Sequence, residues 1–233
     1  MNLSPQEAQS LVKEIESRIP EYPNAEFLIC PPFLHISSVN QSKLAVGGQD
    51  CSEHNNGAHT GDISAKMLKE FGCKSVIIGH SERRQDHKES GPLLSQKVNR
   101  AVENGLHVIF CVGETLDQRE NGRAVEVVEK QLGFVLDKDL GPDQLTIAYE
   151  PVWAIGTGKT ATNEDIADMH SFIRKKCEER LEHGNQIRIL YGGSVKPSNA
   201  GDILAIPDVD GALIGGASLK ADDYLGIAAH ARN

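Results

Sequence analysis

Two side chains in this sequence have the type and position for acid–base chemistry. His80 closes the apolar run Ser75–His80 (SVIIGH), and Ser81-Glu82 after it read as a helix start. Backbone N–H groups at such a start carry partial positive charge and disfavour an imidazolium. An uncharged imidazole there can donate a hydrogen bond to a substrate oxygen. The plainer alternative is a histidine satisfied by a loop carbonyl. Glu150 closes a second apolar run, Thr146–Pro151 (TIAYEP). A carboxylate at a partly desolvated strand end can act as a general base; the alternative is a surface ion pair.

Three segments offer something for those groups to act on. The stretch after Glu150 has Pro151 at one end, Gly156 and Gly158 near the other, and apolar Val152-Trp153-Ala154-Ile155 between. Stiff ends around an apolar tip describe a lid that closes as a unit and excludes water, although a docked loop reads the same way. Tyr191–Val195 (YGGSV) and Gly215–Ser218 (GGAS) are glycine loops. Glycine lets main-chain N–H groups approach an anion unobstructed. Each Gly-Gly pair alone also suits a tight turn; with Gly156, three loops can aim donors at one phosphate.

Something must bring these loops together. Seven short apolar runs occur, at Phe27–Pro32, Leu44–Asp50, Ser75–His80, His107–Gly113, Thr146–Pro151, Arg188–Gly193 and Gly211–Gly216. They lack strict alternation, the pattern of strands buried on both faces of a parallel sheet. Helical segments separate them. Ser4-Pro5-Gln6-Glu7 is a capping box before the stripe Ala8, Leu11, Val12, Ile15, Ile19. Thr162 and Asp165 open another helix, with Ile166, Met169, Ile173, Cys177 and Leu181 on one face. Strand–helix alternation gives an α/β fold with a parallel sheet. No G-x-G-x-x-G or G-x-x-x-x-G-K-[ST] follows the first run, and polar or glycine residues follow many runs. That fits a (β/α)8 barrel, with its chemistry on the loops after the strands, better than a doubly wound sheet. The count is one short: the chain opens with a helix that a strand should precede. A barrel missing one stave has two unpaired edges.

Composition bounds the rest. The chain has 233 residues, 39% hydrophobic and 24% charged, evenly distributed and without a linker, which predicts one domain over 1–233. The formal net charge of -9 opposes nucleic acid and anionic membranes. No apolar run is long enough to span a bilayer, and the first residues do not read as a signal peptide. Five scattered cysteines without a C-x-x-C pair suit a reducing cytoplasm. Cys51, His54 and His59 lie close in sequence, but a structural zinc site needs four ligands, so no metal is expected. Arg83-Arg84 is expected to form ion pairs at a helix start, for example with Asp62 or Glu82, rather than a phosphate clamp.

The strings GHSERR (79–84), CVGET (111–115), YEPVWAIGTGKTAT (149–162), YGGSVKP (191–197) and IGGASLK (214–220), in this order over nearly the whole chain, resemble the triosephosphate isomerase family. The resemblance implies a TIM barrel that interconverts dihydroxyacetone phosphate and glyceraldehyde 3-phosphate through an enediolate, without a cofactor. It implies Glu150 as the base, His80 as the electrophile and Glu82 as a second carboxylate near the site. Gly156, Ser194, Gly215 and Gly216 match phosphate-binding positions. Pro151–Ala161 matches the mobile lid, with Pro151, Val152 and Trp153 at its start and Lys159, Thr160 and Ala161 at its end. Closure over the enediolate would suppress phosphate elimination. Gly57–Asp62 (GAHTGD) resembles the loop that reaches a second subunit, with Thr60 at the neighbour's site, which implies a cytoplasmic homodimer.

One departure stands against the pattern. The family begins with a strand ending in Asn-x-Lys, just ahead of the position of Met1-Asn2. That strand is the stave the count lacks, and its lysine contacts substrate. The favoured explanation is a start at an internal methionine; a truncated chain, or a paralogue that binds a sugar phosphate without turning it over, are the alternatives. Without that charge at the oxyanion, the rate is expected to fall about 10²–10³-fold. A different phosphate-binding barrel enzyme fits the lid string and GHSERR poorly.

Overall fold

The computed structural model describes residues 1–154 and 161–232. Its strands are β1 (Leu28–Ile29), β2 (Ala45–Gly48), β3 (Ser75–Ile78), β4 (His107–Val112), β5 (Leu145–Tyr149), β6 (Arg188–Tyr191) and β7 (Gly211–Ala212). Each lies at an apolar run of the sequence. Most stop short of the run's end because the final residues turn into the loops. All pair in parallel in chain order, in register through Ile77, Ile109, Thr146 and Arg188.

The helices between them are α1 (Pro5–Arg18), α2 (Phe33–Val39), α3 (Ala65–Glu70), α4 (Ser81–Asp86), α5 (Gly91–Glu103), α6 (Leu116–Glu120), α7 (Ala124–Leu136), α8 (Asn163–Arg180), α9 (Pro197–Leu204) and α10 (Ala221–Ala228). Both capping boxes form. Ser4 accepts from the Glu7 amide while Glu7 returns to the Ser4 amide, and Thr162 and Asp165 do the same for α8. These bonds satisfy amides that a helix start leaves without partners.

The sheet curls so that its two faces see different apolar sets. Ile77, Ile109, Cys111 and Ala148 point inward with Leu28, Leu190 and Leu213. Val76, Ile78, Val108, Phe110, Ile147 and Tyr149 point outward, into the larger core shared with the helices. Burial on both faces explains why no strand showed alternation. β1 and β7 are the ends of the described sheet. Outside them the helices meet: Arg18 of α1 donates to Asp222 of α10 at 2.7 Å.

One buried group gives this core a pH dependence. His170 of α8 is fully buried, edge-on to Tyr149, and donates from Nδ1 to the Asp208 carbonyl at 2.9 Å. Its Nε2 has no hydrogen-bond partner among the described residues. Burial lowers its pKa to about 4, against opposing pulls from the Asp208 carbonyl and the charges of Asp210 and Asp208. Between the ordinary histidine pKa and 4, the unfolded chain therefore holds a proton that the folded chain excludes. Unfolding free energy should fall as pH drops through that window, by at most about 3 kcal/mol from this group. Urea unfolding at pH 7 and pH 4.5 should show a smaller difference in His170→Asn than in the parent; equal differences would clear His170 of this role.

Candidate active site

His80 and Glu150 stand at the same end of the barrel, beyond β3 and β5. His80 is the N-cap of α4, and its Nδ1 accepts from the Glu82 amide at 3.4 Å. An accepting Nδ1 leaves the ring's proton on Nε2. That nitrogen lies 3.0 Å from Glu150 Oε1. Glu150 is 2% exposed and also accepts from the Ser81 amide at 2.9 Å and the Ser81 hydroxyl at 3.0 Å. The carboxylate is thus not the surface ion pair that was the alternative reading.

The electrostatics of His80 differ from the sequence expectation. Burial acts to lower its pKa, but the hydrogen bond and charge of Glu150, with a smaller pull from Glu82, outweigh it and raise the pKa above the ordinary value. The helix-start argument omitted a carboxylate on a distant strand end, Glu150 beyond β5. Glu82 itself is largely exposed, with Oε2 3.8 Å from His80 Nδ1.

Space around the base comes from two glycines. A Cβ on Gly113 would overlap the Glu150 carbonyl oxygen, and one on Gly192 would lie 2.9 Å from Glu150 Cγ. Gln131 of α7 fixes Gly113 from behind, accepting from its N–H at 2.8 Å and donating to its carbonyl at 3.0 Å. Arg84 ties the loop after β3 to the end of β4, donating to the Gly79 and Cys111 carbonyls, both at 2.7 Å. Cys111 is fully buried beside Glu150, and burial, then that charge, hold its thiol well above the ordinary range.

Sequence reading quoted CVGET but gave Glu114 no role. Glu114 is completely buried and its Oε1 accepts from Tyr149 Oη at 3.1 Å, Trp153 Nε1 at 2.8 Å and Arg119 at 3.1 Å. Arg119 also pairs with Asp165 and stacks its guanidinium 4.6 Å from the Trp153 ring. The start of the expected lid is therefore anchored through Trp153, in a short turn Val152–Ala154 after the buried Pro151. An acidic residue two positions beyond an apolar strand was the available signal.

The other expected positions fall as follows. The Ser194 hydroxyl lies 3.5 Å from the Ala154 carbonyl, joining the loop after β6 to the lid's start. Gly215 caps the short helix Gly216–Leu219 after β7, and open space lies over both glycines. Gly156, Lys159 and Thr160 lie outside the described residues, and Ala161 is buried just after them. Thr60 sits on an exposed loop closed at its base by the Ser52 amide on the Ile63 carbonyl at 2.8 Å. Cys51, His54 and His59 do not converge: Cys51 is buried toward the Lys97 carbonyl, while the two histidine rings stack at 3.7 Å.

The expected ion pairing is present at Arg83, with partners other than Asp62 and Glu82, and absent at Arg84 among the described residues. Arg83 pairs with Asp50 at 2.8 Å and Glu89 at 2.7 Å, and Arg84 pairs with no carboxylate among the described residues. Asp62 instead accepts from Ser52 at 2.7 Å, and Glu82 points outward. Of the partners of Arg83, Glu89 lies six residues on, between α4 and α5, whereas Asp50 comes from the loop after β2, which local sequence does not bring near.

Comparison with known proteins accords with this geometry. A sequence profile described as "Triosephosphate isomerase" matches residues 1–231. The triosephosphate isomerase of Xanthobacter flavus is 51% identical over 210 residues, covering 88% of this chain and 84% of the relative. That of Bacteroides fragilis is 46% identical over 235 residues, covering 97% and 94%. The crystal structure of triosephosphate isomerase from Bartonella henselae superposes with a TM-score of 0.89 at 43% identity, covering 97% of this chain and 93% of that one. A barrel with Glu150 and His80 facing each other at one mouth, together with these matches, places the chain in the triosephosphate isomerase family.

Proposed function

We propose that this chain, as one domain, interconverts dihydroxyacetone phosphate and glyceraldehyde 3-phosphate, with Glu150 as base and His80 as electrophile. The observation that carries the residue roles is the 3.0 Å approach of His80 Nε2 to Glu150 Oε1 at the barrel mouth. A substrate entering between them takes over both contacts. Glu150 then leaves Ser81, turns into the space beside Gly192 and removes a proton from the carbon next to the carbonyl. His80 donates from Nε2 to the carbonyl oxygen as charge develops there. With the carboxylate gone from Nε2, burial and the Glu82 amide on Nδ1 favour a neutral ring, against the smaller pull of the Glu82 charge. The same nitrogen can then serve the two oxygens of the enediolate in turn, while Glu150 returns its proton to the neighbouring carbon.

The phosphate is assigned to the amides of the loops after β6 and β7, at Ser194, Gly215 and Gly216, with Gly156 from the lid. Main-chain donors suit an anion because they are fixed before it arrives. Pro151, Val152, Trp153, Lys159, Thr160 and Ala161 are read as the ends of the lid, and Glu82 as a carboxylate that tunes the His80 loop.

The working form is read as a cytoplasmic homodimer. Large apolar side chains left exposed at Phe33, Leu34, Met67 and Phe71 support a partner surface. The projecting loop with Thr60 supports contact with a second site. Five free cysteines support a reducing compartment, and no described helix is long and apolar enough to cross a membrane.

The test is a coupled assay in both directions, with dihydroxyacetone phosphate and with glyceraldehyde 3-phosphate. Conversion without added metal or cofactor is expected. Binding of a triose phosphate without turnover in either direction would overturn the reading.

A further inference from the structure

A second charged recess lies behind the catalytic loops, on the outer side of the barrel, and the mechanism above does not use it. This groove of about 320 Å³ is lined by Arg84, Gln118, Arg123, Glu126, Lys130 and Gln131, among others. Three cations face one carboxylate there, on a chain whose net charge is -9. The general field of the protein therefore gives an anion no help, and any capture must be local.

The cations are poorly compensated. Arg84 spends Nε and Nη2 on the Gly79 and Cys111 carbonyls and has no carboxylate in ion-pair range among the described residues. Burial works against its charge, and Cys111, Glu150 and Glu89 act on it electrostatically without pairing. Lys130 makes no hydrogen bond or ion pair with the described residues. Arg123 meets Asp117 at 3.2 Å, in a pair that is more than half exposed and correspondingly weak. A desolvated guanidinium at the base, with two exposed cations at the rim, matches a tetrahedral oxyanion. The planar fork addresses two oxygens and the ammonium adds a point charge.

We propose that this groove binds the phosphoryl group of a small phosphorylated molecule, with Arg84 as anchor and Arg123 and Lys130 as rim cations. Its volume leaves room for a few carbons beyond the phosphoryl group but not for a nucleotide. Two of its lining side chains are the ones that fix the catalytic loops: Arg84 holds Gly79, next to His80, and Gln131 holds Gly113, against Glu150. An occupant is thus one side chain from the catalytic pair.

The experiment follows backbone amide resonances of the full chain during titration with inorganic phosphate at fixed ionic strength. Saturable shifts are expected at Val127, Lys130 and Gln131, separate from those at Gly193, Ser194 and Gly215. In the double variant Arg123→Ala/Lys130→Ala, whose altered side chains are exposed, the first set should require about tenfold more phosphate or vanish while the second set persists. Absence of shifts on α7 in the parent, equal shifts in the double variant, or equal shifts with chloride would each overturn the site. Glycerol 3-phosphate is expected to bind the groove more tightly than inorganic phosphate; equal or weaker binding would overturn an organic ligand.

Discussion

Glu150→Gln is expected to lower kcat by about 10²–10⁴-fold, the usual worth of a positioned general base, with little change in thermal midpoint. Glutamine has the same length and shape. Its carbonyl can still accept from the Ser81 amide and its NH₂ can donate to the Ser81 hydroxyl, now 2.9 and 3.0 Å from the carboxylate, while the partly exposed His80 ring gives up its Nε2 contact with Oε1 and turns to water. The buried setting is therefore kept while the proton acceptor is lost. Glu150→Asp keeps the acceptor but withdraws it by one methylene, and an intermediate loss is expected because reaction geometry tolerates little displacement. Parent and variants are compared by the coupled assay beside thermal unfolding. Full activity in Glu150→Gln removes the base assignment; a matched loss of stability and activity reassigns Glu150 to structure.

The strands were legible because each needed the same thing. A strand covered by helices outside and side chains inside must be apolar throughout, and Ser75–Ile78 and Leu145–Tyr149 are buried along their whole length. Glu150 and His80 were legible for a related reason: a polar group closing such a run stands at the barrel mouth. Glu114 obeys the same rule one strand over, yet its work is internal, holding Tyr149, Trp153 and Arg119. Type and position alone did not separate these two carboxylates.

What stayed hidden depends on pairs distant in the chain. Arg83 finds one acid nearby in sequence, Glu89, but the curl of the sheet also brings Asp50 to it from the loop after β2. The raised pKa of His80 comes from Glu150, which approaches only when β3 and β5 converge on one mouth. Lys97 carried no signal at all. It lies among ordinary helical residues of α5, where a lysine normally marks the solvated face, and it is 4% exposed.

Lys97→Met should be the most destabilising single change outside the catalytic pair. The ammonium donates to both oxygens of Asp50, at 2.9 and 2.7 Å, and to Glu89 at 2.6 Å. Burial holds Asp50 above the ordinary carboxylate range in spite of Lys97. Glu89 is also opposed by burial but lies below that range because Lys97 and Arg83 both bond it. Among the described residues, removing the lysine leaves two buried carboxylates sharing Arg83 alone, while Glu89 Oε2 already lacks a partner. Breaking such a cluster costs about 3–5 kcal/mol, which for a chain of this size lowers the thermal midpoint by roughly 6–20 °C. Because Arg83 lies in α4, next to His80 and Ser81, kcat should fall as well, by less than in Glu150→Gln. The control is Lys97→Met/Asp50→Asn/Glu89→Gln, which removes the orphaned charges and keeps similar shapes. Calorimetry should show it recovering more than half of the lost stability. If the triple variant is as unstable as Lys97→Met, the loss comes from the lysine's packing and not from the charges it neutralises.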